Sequence, residues 1–238
     1  MVRLVCFSYA GAGTTVYHGW ADLLPPGVEV VLVRLPGRES RIREPPFTSM
    51  TAIVQALAPL LARHVEGPLA FFGHSMGALV AFETARELRR NHGRQPAHLL
   101  VSGRHAPHLQ HADPPIHALP QEQFIREMVQ RYNGFPRAIL AEPELLQLYL
   151  PSLRGDFAVL ESYTHVREAP LDCPISTLGG VEDARARPEE LEAWRQHTAA
   201  AFSRQMFPGG HFYLNEKGGA REALLRGLSE QLIPFLVP

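Results

Sequence analysis

The sequence predicts an α/β fold in which a mostly parallel sheet is covered by helices on both faces. Near-continuous apolar runs of strand length alternate with segments of helical periodicity up to Ser102 and again from Pro174. Strands that are apolar throughout are typical of a parallel sheet buried on both faces. A Gly-x-Ser-x-Gly pentapeptide stands between one of these strands and the next helix, and a mainly helical stretch interrupts the alternation between His105 and about Val166.

Prolines and glycines bound the individual elements. The predicted strands are Arg3–Ser8, Glu29–Arg34, Leu69–Phe72, His98–Ser102, Pro174–Leu178 and Phe202–Phe207. The predicted helices are Val16–Leu23, Met50–His64, Ala78–Leu88, Gln121–Arg131, Glu144–Thr164, Pro188–His197 and Ala220–Leu236. Two of these helices follow each other without a strand between them. We interpret residues 105–166 as a helical lid, because long excursions from a sheet often cover an active site.

Length and charge limit the class of protein. The chain has 238 residues, of which 45% are hydrophobic and 20% charged, and its net charge is −1. We expect one domain over residues 1–238, since this length can bury a single core. The charge offers no basic face for nucleic acid, and no apolar run reaches the roughly 18 residues of a membrane span. The apolar stretch at the N-terminus is too short for a signal peptide, so we expect a cytoplasmic monomer.

The chain contains two cysteines, Cys6 and Cys173. Two reduced thiols are the favoured interpretation for a cytoplasmic protein. A disulfide would need their Cα atoms within about 7 Å of each other, which the sequence leaves open.

The pentapeptide Gly73-His74-Ser75-Met76-Gly77 follows an apolar strand and precedes a helix. This order is the nucleophile elbow of the α/β-hydrolase fold, where a sharp turn exposes the serine hydroxyl at the carboxyl edge of the sheet. Glycine suits both ends of the turn because backbone approaches backbone closely there. We therefore predict an α/β-hydrolase fold with Ser75 as its nucleophile. A plain strand-to-helix turn is the alternative.

A serine nucleophile needs a base, and the base needs an acid to orient it. In this fold the partners follow the serine in the order acid, then histidine. His211 lies in a glycine-containing loop after the last predicted strand, and Asp183 lies in the loop after the penultimate one. We predict a triad of Ser75, Asp183 and His211. The competing acids are Glu182, Asp172 and Asp156, of which the second precedes its strand and the third falls in the lid.

The tetrahedral intermediate of acyl transfer needs N–H donors for its oxyanion. One predicted donor is the backbone N–H of Met76, directly after the nucleophile. The second should come from the loop Ser8-Tyr9-Ala10-Gly11-Ala12-Gly13, where we favour Ala10 and keep Gly11 as the alternative. A flexible glycine-rich turn is the non-catalytic interpretation. The loop lacks both the third glycine of a dinucleotide fingerprint and the lysine of a P-loop.

Histidines cluster in the first part of the lid, at His105, His108, His111 and His117. Prolines between them prevent one helix from presenting all four on one face, and no carboxylate-rich partner motif accompanies them. We therefore predict no metal site. His74, inside the elbow, is expected to pack near the site without acting as the base.

The chain resembles the type II thioesterases, the stand-alone α/β-hydrolases that accompany polyketide synthases and nonribosomal peptide synthetases. The segments that carry the resemblance are Phe7–Gly13, Leu35-Pro36-Gly37-Arg38-Glu39, Gly73–Ala78, Leu153-Arg154-Gly155-Asp156-Phe157 and Pro208-Gly209-Gly210-His211-Phe212. They occur in the family's order and span nearly the whole chain. The family's triad positions match Ser75, Asp183 and His211.

The resemblance implies hydrolysis of acyl groups from the phosphopantetheine thiol of an acyl or peptidyl carrier protein, which clears stalled or misprimed chains. It implies no cofactor other than the phosphopantetheine on the substrate. Apolar lid side chains could wall an acyl chamber, although most of them have core packing as the simpler use: Leu119, Phe124, Met128, Leu145, Leu148 and Leu153. The alternatives are a release thioesterase, a carboxylesterase for small esters, and a catalytically dead ligand-binding protein on the same fold.

Overall fold

The structure is a computed structural model that describes residues 1–109, 113–132, 142–216 and 219–236. Among these residues, six strands form one sheet in the order β2-β1-β3-β4-β5-β6. The strands are β1 (Val2–Phe7), β2 (Val28–Leu32), β3 (Leu69–His74), β4 (His98–Ser102), β5 (Ile175–Gly180) and β6 (Phe202–Phe207). Each neighbouring pair is parallel. All carboxyl ends therefore meet at one edge, where ligands bind in open α/β sheets.

Apart from the first predicted helix, the helices follow one another along the chain in the order that the sequence predicts. They are α1 (Met50–His64), α2 (Met76–His92), α3 (Gln121–Tyr132), α4 (Pro143–Ser162), α5 (Pro188–Glu192) and α6 (Ala220–Leu232). Helix α1 has its predicted bounds, and α2 ends before Gly93, whose φ of 59° is the left-handed conformation that a glycine cap supplies. The predicted α/β-hydrolase architecture is confirmed.

Two predicted helices are wrong in their type. Residues 16–23 do not form an α-helix, because a 3₁₀ turn at Thr14–Tyr17 is followed by turns around Gly19, which has a φ of 74°. A helix cannot continue through a left-handed residue without breaking its hydrogen-bond ladder. The segment predicted at Pro188–His197 is α-helical only to Glu192 and continues as a 3₁₀ helix over Ala193–His197.

Two hydrophobic cores cover the two faces of the sheet. Because successive strand residues point to opposite faces, Phe71 of β3 packs with Ile53 of α1, whereas its neighbour Phe72 packs with Trp20 and with Leu225 of α6. Burying each such aromatic side chain stabilises the fold by about 2–3 kcal/mol. This two-sided burial explains why the strands are apolar throughout.

The helices α3 and α4 have a hydrophobic cluster of their own. Phe124 of α3 and Phe157 of α4 meet edge to face, with ring centroids 5.5 Å apart. Both helices lie in the segment predicted as a lid, and residues 110–112 and 133–141 of that segment fall outside the described residues. The single domain with an embedded lid stays a prediction.

The two cysteines are buried thiols that are not bonded to each other. Burial raises the pKa of both thiols, that of Cys173 to about 12. Both therefore stay protonated and unreactive. Within the described ranges, no helix has both the length and the apolar character needed to cross a membrane.

Candidate active site

Ser75 occupies a strained turn between β3 and α2. Its φ of 54° and ψ of −113° lie in a region that non-glycine residues seldom adopt. Its N–H donates to the carbonyl of Ser102 at 2.8 Å, which ties the turn to β4. A Cβ on Gly73 would lie 2.2 Å from the carbonyl oxygen of Gly77, and one on Gly77 would lie 2.0 Å from that of Phe7. Backbone contacts of this kind leave room for glycine alone.

Asp183 and His211 form a hydrogen-bonded pair at the same edge of the sheet. Asp183 follows β5 and His211 follows β6. The Asp183 Oδ2 atom lies 2.8 Å from His211 Nδ1, and Oδ1 accepts the Arg185 N–H at 2.8 Å. The Asp183 side chain is only 1% exposed. Because this carboxylate engages Nδ1, Nε2 is the ring nitrogen that can exchange a proton with a nucleophile.

The competing acids lie elsewhere. Glu182 is exposed, and its N–H donates to the Gly209 carbonyl at 3.0 Å. Asp172 accepts a hydrogen bond from Gln95 at the amino-terminal side of β5. Asp156 pairs with Arg38. Among these carboxylates and Asp183, the structure brings Asp183 to the imidazole of His211.

Ser75 and His211 both line an apolar cavity of about 230 Å³. No hydrogen bond joins their side chains among those of the described residues. In unliganded enzymes the bond between nucleophile and base is often long, and it tightens when substrate binds. The cavity lies between the loop after β1 and the helices α3 and α4. Its larger side chains are those of Tyr9, Val16, Met128, Tyr132, Tyr149, Leu153, Phe157, Leu160 and Phe212.

The predicted lid residues divide into three groups. Met128 and Leu153 line the cavity, whereas Phe124 is buried in the lid cluster and Leu119 packs against that cluster. Leu145 and Leu148 are 44% and 50% exposed, so their prediction as chamber walls is wrong. Helical periodicity identifies an apolar stripe but does not tell which neighbour covers it.

Sequence reasoning missed the aromatic side chains that line the cavity, which are those of Tyr9, Tyr132, Tyr149, Phe157 and Phe212. Tyr9 and Phe212 meet edge to face, with ring centroids 5.0 Å apart. For these two the available signal was their position, within the candidate oxyanion loop and directly after the candidate base.

The geometry separates the two candidate donors of the β1 loop. The Gly11 N–H donates to Asp156 Oδ2 at 2.7 Å and is therefore engaged. Ala10 lines the same cavity as Ser75, and its N–H makes no hydrogen bond among those of the described residues. Met76 is the first residue of α2, where a helix leaves its N–H groups without intrahelical partners. Ala10 and Met76 thus remain the pair that could hold an oxyanion.

A buried ion pair connects this loop to helix α4. Arg38 Nη2 lies 2.7 Å from Asp156 Oδ1, and Arg38 Nη1 donates to the Ala12 carbonyl at 2.8 Å. The two side chains are 6% and 3% exposed. Burial raises the pKa of Asp156, while the guanidinium and the Gly11 N–H act in the opposite direction. The sequence placed Asp156 in the lid but indicated no partner for it.

His74 is buried beside His211 and is hydrogen-bonded to Ser102. Its Nδ1 lies 2.8 Å from Ser102 Oγ, which in turn lies 2.7 Å from the hydroxyl of Tyr213. Its ring packs 5.0 Å from that of His211. Burial, reinforced by the neighbouring His211, holds the pKa of His74 well below its usual range. A neutral His74 lets His211 become protonated without a like charge beside it, in keeping with the predicted packing role.

The clustered histidines have separate partners. His108 Nδ1 lies 2.8 Å from His197 Nε2, and His117 Nδ1 lies 2.5 Å from Glu161 Oε2. His111 lies outside the described residues. In the part of the chain that the structure describes, no three His, Cys, Asp or Glu side chains are grouped so that they could hold a metal ion.

Comparisons with known proteins identify the family of this chain. The model of the thioesterase domain family matches residues 2–232. Gramicidin S biosynthesis protein GrsT of Aneurinibacillus migulanus is 41% identical over 237 residues, which cover 100% of this chain and 91% of that protein. RedJ, a thioesterase from the prodiginine biosynthetic pathway of Streptomyces coelicolor, is 40% identical with a TM-score of 0.89, over 97% of this chain and 90% of that chain. BorB, the type II thioesterase from the borrelidin biosynthetic cluster, is 36% identical with a TM-score of 0.85, over 98% and 91% of the two chains.

Proposed function

The chain belongs to the thioesterase domain family and is a thioester hydrolase, and we propose that its substrates are acyl groups on the phosphopantetheine thiol of an acyl or peptidyl carrier protein. The observation that carries the proposal is the joint placement of Ser75 and His211 on one apolar cavity, with Asp183 holding Nδ1 of the imidazole. This arrangement suits nucleophilic acyl transfer.

In the first half of the reaction, Ser75 Oγ attacks the thioester carbonyl and His211 Nε2 takes the hydroxyl proton. The oxyanion of the tetrahedral intermediate would accept hydrogen bonds from the N–H groups of Met76 and Ala10, each worth about 3–4 kcal/mol of transition-state stabilisation. When the intermediate collapses, the C–S bond breaks, and the thiol leaves with the proton from His211. Ser75 is then an acyl ester.

In the second half, water attacks the ester carbonyl while His211 takes one of its protons. The new intermediate collapses, the ester bond to Ser75 breaks, and His211 returns the proton to Ser75 Oγ. The product leaves as the free acid. The Asp183 carboxylate accepts the Nδ1–H of His211 and stabilises the imidazolium that forms twice in the cycle.

We base the editing role on the resemblance to type II thioesterases, which clear stalled or misprimed chains, BorB being one protein of that kind that is similar to this chain. The apolar cavity of about 230 Å³ beside Ser75 offers room for a short acyl group. We therefore propose removal of short, stalled or misprimed acyl groups from the carrier proteins of a synthase.

The test is a kinetic panel of one carrier protein loaded with acyl groups of increasing length, with p-nitrophenyl esters as the competing substrate class. We expect the carrier thioesters to give the higher kcat/KM, and the short acyl groups to be preferred. A preference for the p-nitrophenyl esters would indicate a carboxylesterase instead. A preference for the longest chains would indicate product release.

The nucleophile is tested separately with a fluorophosphonate probe. Wild-type protein should be labelled, and Ser75→Ala should lose both the label and the hydrolysis while it keeps its fold. Ser229→Ala is the matched control, because Ser229 lies on α6 and its hydroxyl bonds the Leu225 carbonyl at 2.7 Å, away from the cavity. Absence of labelling in the wild type would favour a catalytically dead protein.

A further inference from the structure

A second cavity opens beside Ser75 and differs in character from the apolar one. It has a volume of about 400 Å³ and shares Ser75, Tyr132, Leu160 and His211 with the apolar cavity. We call it the polar chamber. Its wall carries three arginines, Arg104, Arg131 and Arg185. A thioester bound at Ser75 would therefore have one part of its structure close to a basic surface.

Two of the three guanidinium groups already have partners. Arg131 donates to Glu127 at 2.9 Å and to the Pro114 carbonyl at 2.7 Å. Arg185 donates to Asp113 at 2.6 Å, and its guanidinium lies 4.3 Å from the ring centroid of Tyr132. Both cations are thus held by groups of the protein itself.

The carboxylates of the polar chamber are engaged as well. Glu161 accepts the N–H groups of Ile116 at 2.8 Å and of His117 at 3.0 Å, and it also contacts the His117 ring. Asp113 is the partner of Arg185. Neither carboxylate is paired with Arg104.

Arg104 differs from its neighbours. Among the described residues, no side chain or carbonyl accepts a hydrogen bond from its guanidinium, and its Nε atom is fully buried without a partner. Burial lowers the pKa of Arg104 to about 10, so that it still carries its charge near neutral pH. Arg104 as a whole is half-buried, and a cation that is partly removed from water without a counter-ion is costly. Such a cost is typical of a group that is kept for a ligand.

The backbone around Arg104 is held firmly. The Trp194 indole donates to the Arg104 carbonyl at 2.8 Å. A Cβ on the preceding Gly103 would lie 2.5 Å from the His74 ring, which shows how closely this segment packs on the elbow. The position of Arg104 is therefore coupled to that of Ser75, as a substrate-binding residue requires.

We propose that Arg104 is an anion-binding residue of the polar chamber and that the thioester substrate supplies the anion. This inference rests on the proposed function. The shared chemistry is an oxyanion that a guanidinium can bind through two parallel N–H donors. Two parts of a carrier-bound thioester can carry one: a carboxylate at the far end of the acyl group, or the phosphate of the pantetheine arm.

The test compares Arg104→Met with the wild type on matched substrates. Succinyl and butyryl thioesters have the same chain length and differ in the terminal carboxylate. Thioesters of phosphopantetheine and of pantetheine differ in the phosphate. In the pair of substrates that differ in the bound anion, we expect Arg104→Met to lower kcat/KM about tenfold to a hundredfold for the substrate that carries this anion. Its matched neutral partner should change less than about twofold, and Arg104→Lys should recover part of the loss.

The matched control is Arg131→Met, which removes a cation from the same chamber whose charge already has a protein partner. It should not alter the ratio between charged and neutral substrates. A loss that follows the carboxylate assigns the anion to the acyl group, and a loss that follows the phosphate assigns it to the arm. Equal effects of Arg104→Met within every matched pair would overturn the proposal.

Two further measurements keep the result independent of turnover. Calorimetry with phosphopantetheine against pantetheine, and with butyrate against the neutral butyramide, tests anion binding even if no thioester is hydrolysed. Thermal unfolding should show Arg104→Met to be at least as stable as the wild type, because a half-buried cation without a counter-ion is removed. A marked loss of stability, with no change in anion binding, would show Arg104 to be a structural residue.

Discussion

The N–H of Gly11 donates to the carboxylate of Asp156 at 2.7 Å, which ties the loop after β1 to helix α4. Arg38 completes the link, since it pairs with the same carboxylate and also binds the Ala12 carbonyl. The loop that would supply one oxyanion donor is thereby held in shape by α4. We therefore expect the packing of α4 against this loop and the formation of the oxyanion site to depend on each other.

Replacing Asp156 should impair both stability and catalysis. Asp156→Ala leaves Arg38 buried without its counter-ion, and it releases the Gly11 N–H. We expect the free energy of unfolding to fall by about 3–5 kcal/mol. The kcat for a short acyl-carrier thioester should fall with it, because the oxyanion loop loses its anchor. Urea unfolding and steady-state kinetics measure the two effects.

A double variant separates the two effects. Arg38→Met with Asp156→Leu removes both charges, and apolar pairs of similar volume often replace buried ion pairs without loss of stability. We expect stability to return towards that of the wild type while kcat stays low, because nothing accepts the Gly11 N–H. Recovery of kcat together with stability would show that the ion pair serves the fold alone.

Asp183→Asn should disable the base without removing it. An amide in place of the carboxylate no longer fixes the proton on Nδ1 of His211, and it cannot stabilise the imidazolium. We expect kcat to fall by about 10³–10⁴ with a small change in KM. Glu182→Gln is the control, since Glu182 is exposed one residue earlier. Equal losses in the two variants would contradict the assignment of Asp183.

The strain at Ser75 predicts an unusual order of stability. With φ at 54° and ψ at −113°, a Cβ is unfavourable at this position, and such conformations cost about 1–3 kcal/mol. Ser75→Gly removes that cost, although glycine also raises the entropy of the unfolded chain. We expect the free energy of unfolding of Ser75→Gly, measured with urea, to be higher than that of Ser75→Ala by about 1 kcal/mol. The reverse order would mean that the turn is relaxed in solution.

His98 should make the protein sensitive to acid. Burial lowers the pKa of His98 to about 4, and its Nε2 lies 2.8 Å from Ser176 Oγ. Between pH 6.5 and about 4 the unfolded chain binds a proton that the folded one excludes. The free energy of unfolding therefore falls as the pH falls, by at most about 1.4 kcal/mol per pH unit for this histidine.

His98→Gln should flatten that dependence while it keeps a polar partner for Ser176. Between pH 7 and pH 5 we expect it to lose up to about 2 kcal/mol less than the wild type does. Urea unfolding at the two pH values measures the difference. His64→Gln serves as the control, since His64 is exposed at the end of α1. Parallel curves for His98→Gln and the wild type would rule out this source of acid sensitivity.

Local sequence patterns were enough to predict the strands, most helices and the order of the loops that carry Ser75, Asp183 and His211. These features follow from local chemistry: apolar runs mark buried strands, and the glycines of the elbow mark a turn that tolerates no side chain. Chain order then identified the acid and the base, because parallel strands bring their following loops to one edge of the sheet.

The side-chain contacts between distant parts of the chain became visible only in the folded structure. Gly11 and Asp156 are 145 residues apart, so no periodicity could pair them or choose between Ala10 and Gly11 as a donor. The fold also turned Leu145 and Leu148 to solvent and left the Arg104 Nε atom without a hydrogen-bond partner among the residues that the structure describes. Local propensity acts over a few residues, whereas burial and ion pairing depend on which distant surfaces the fold brings together.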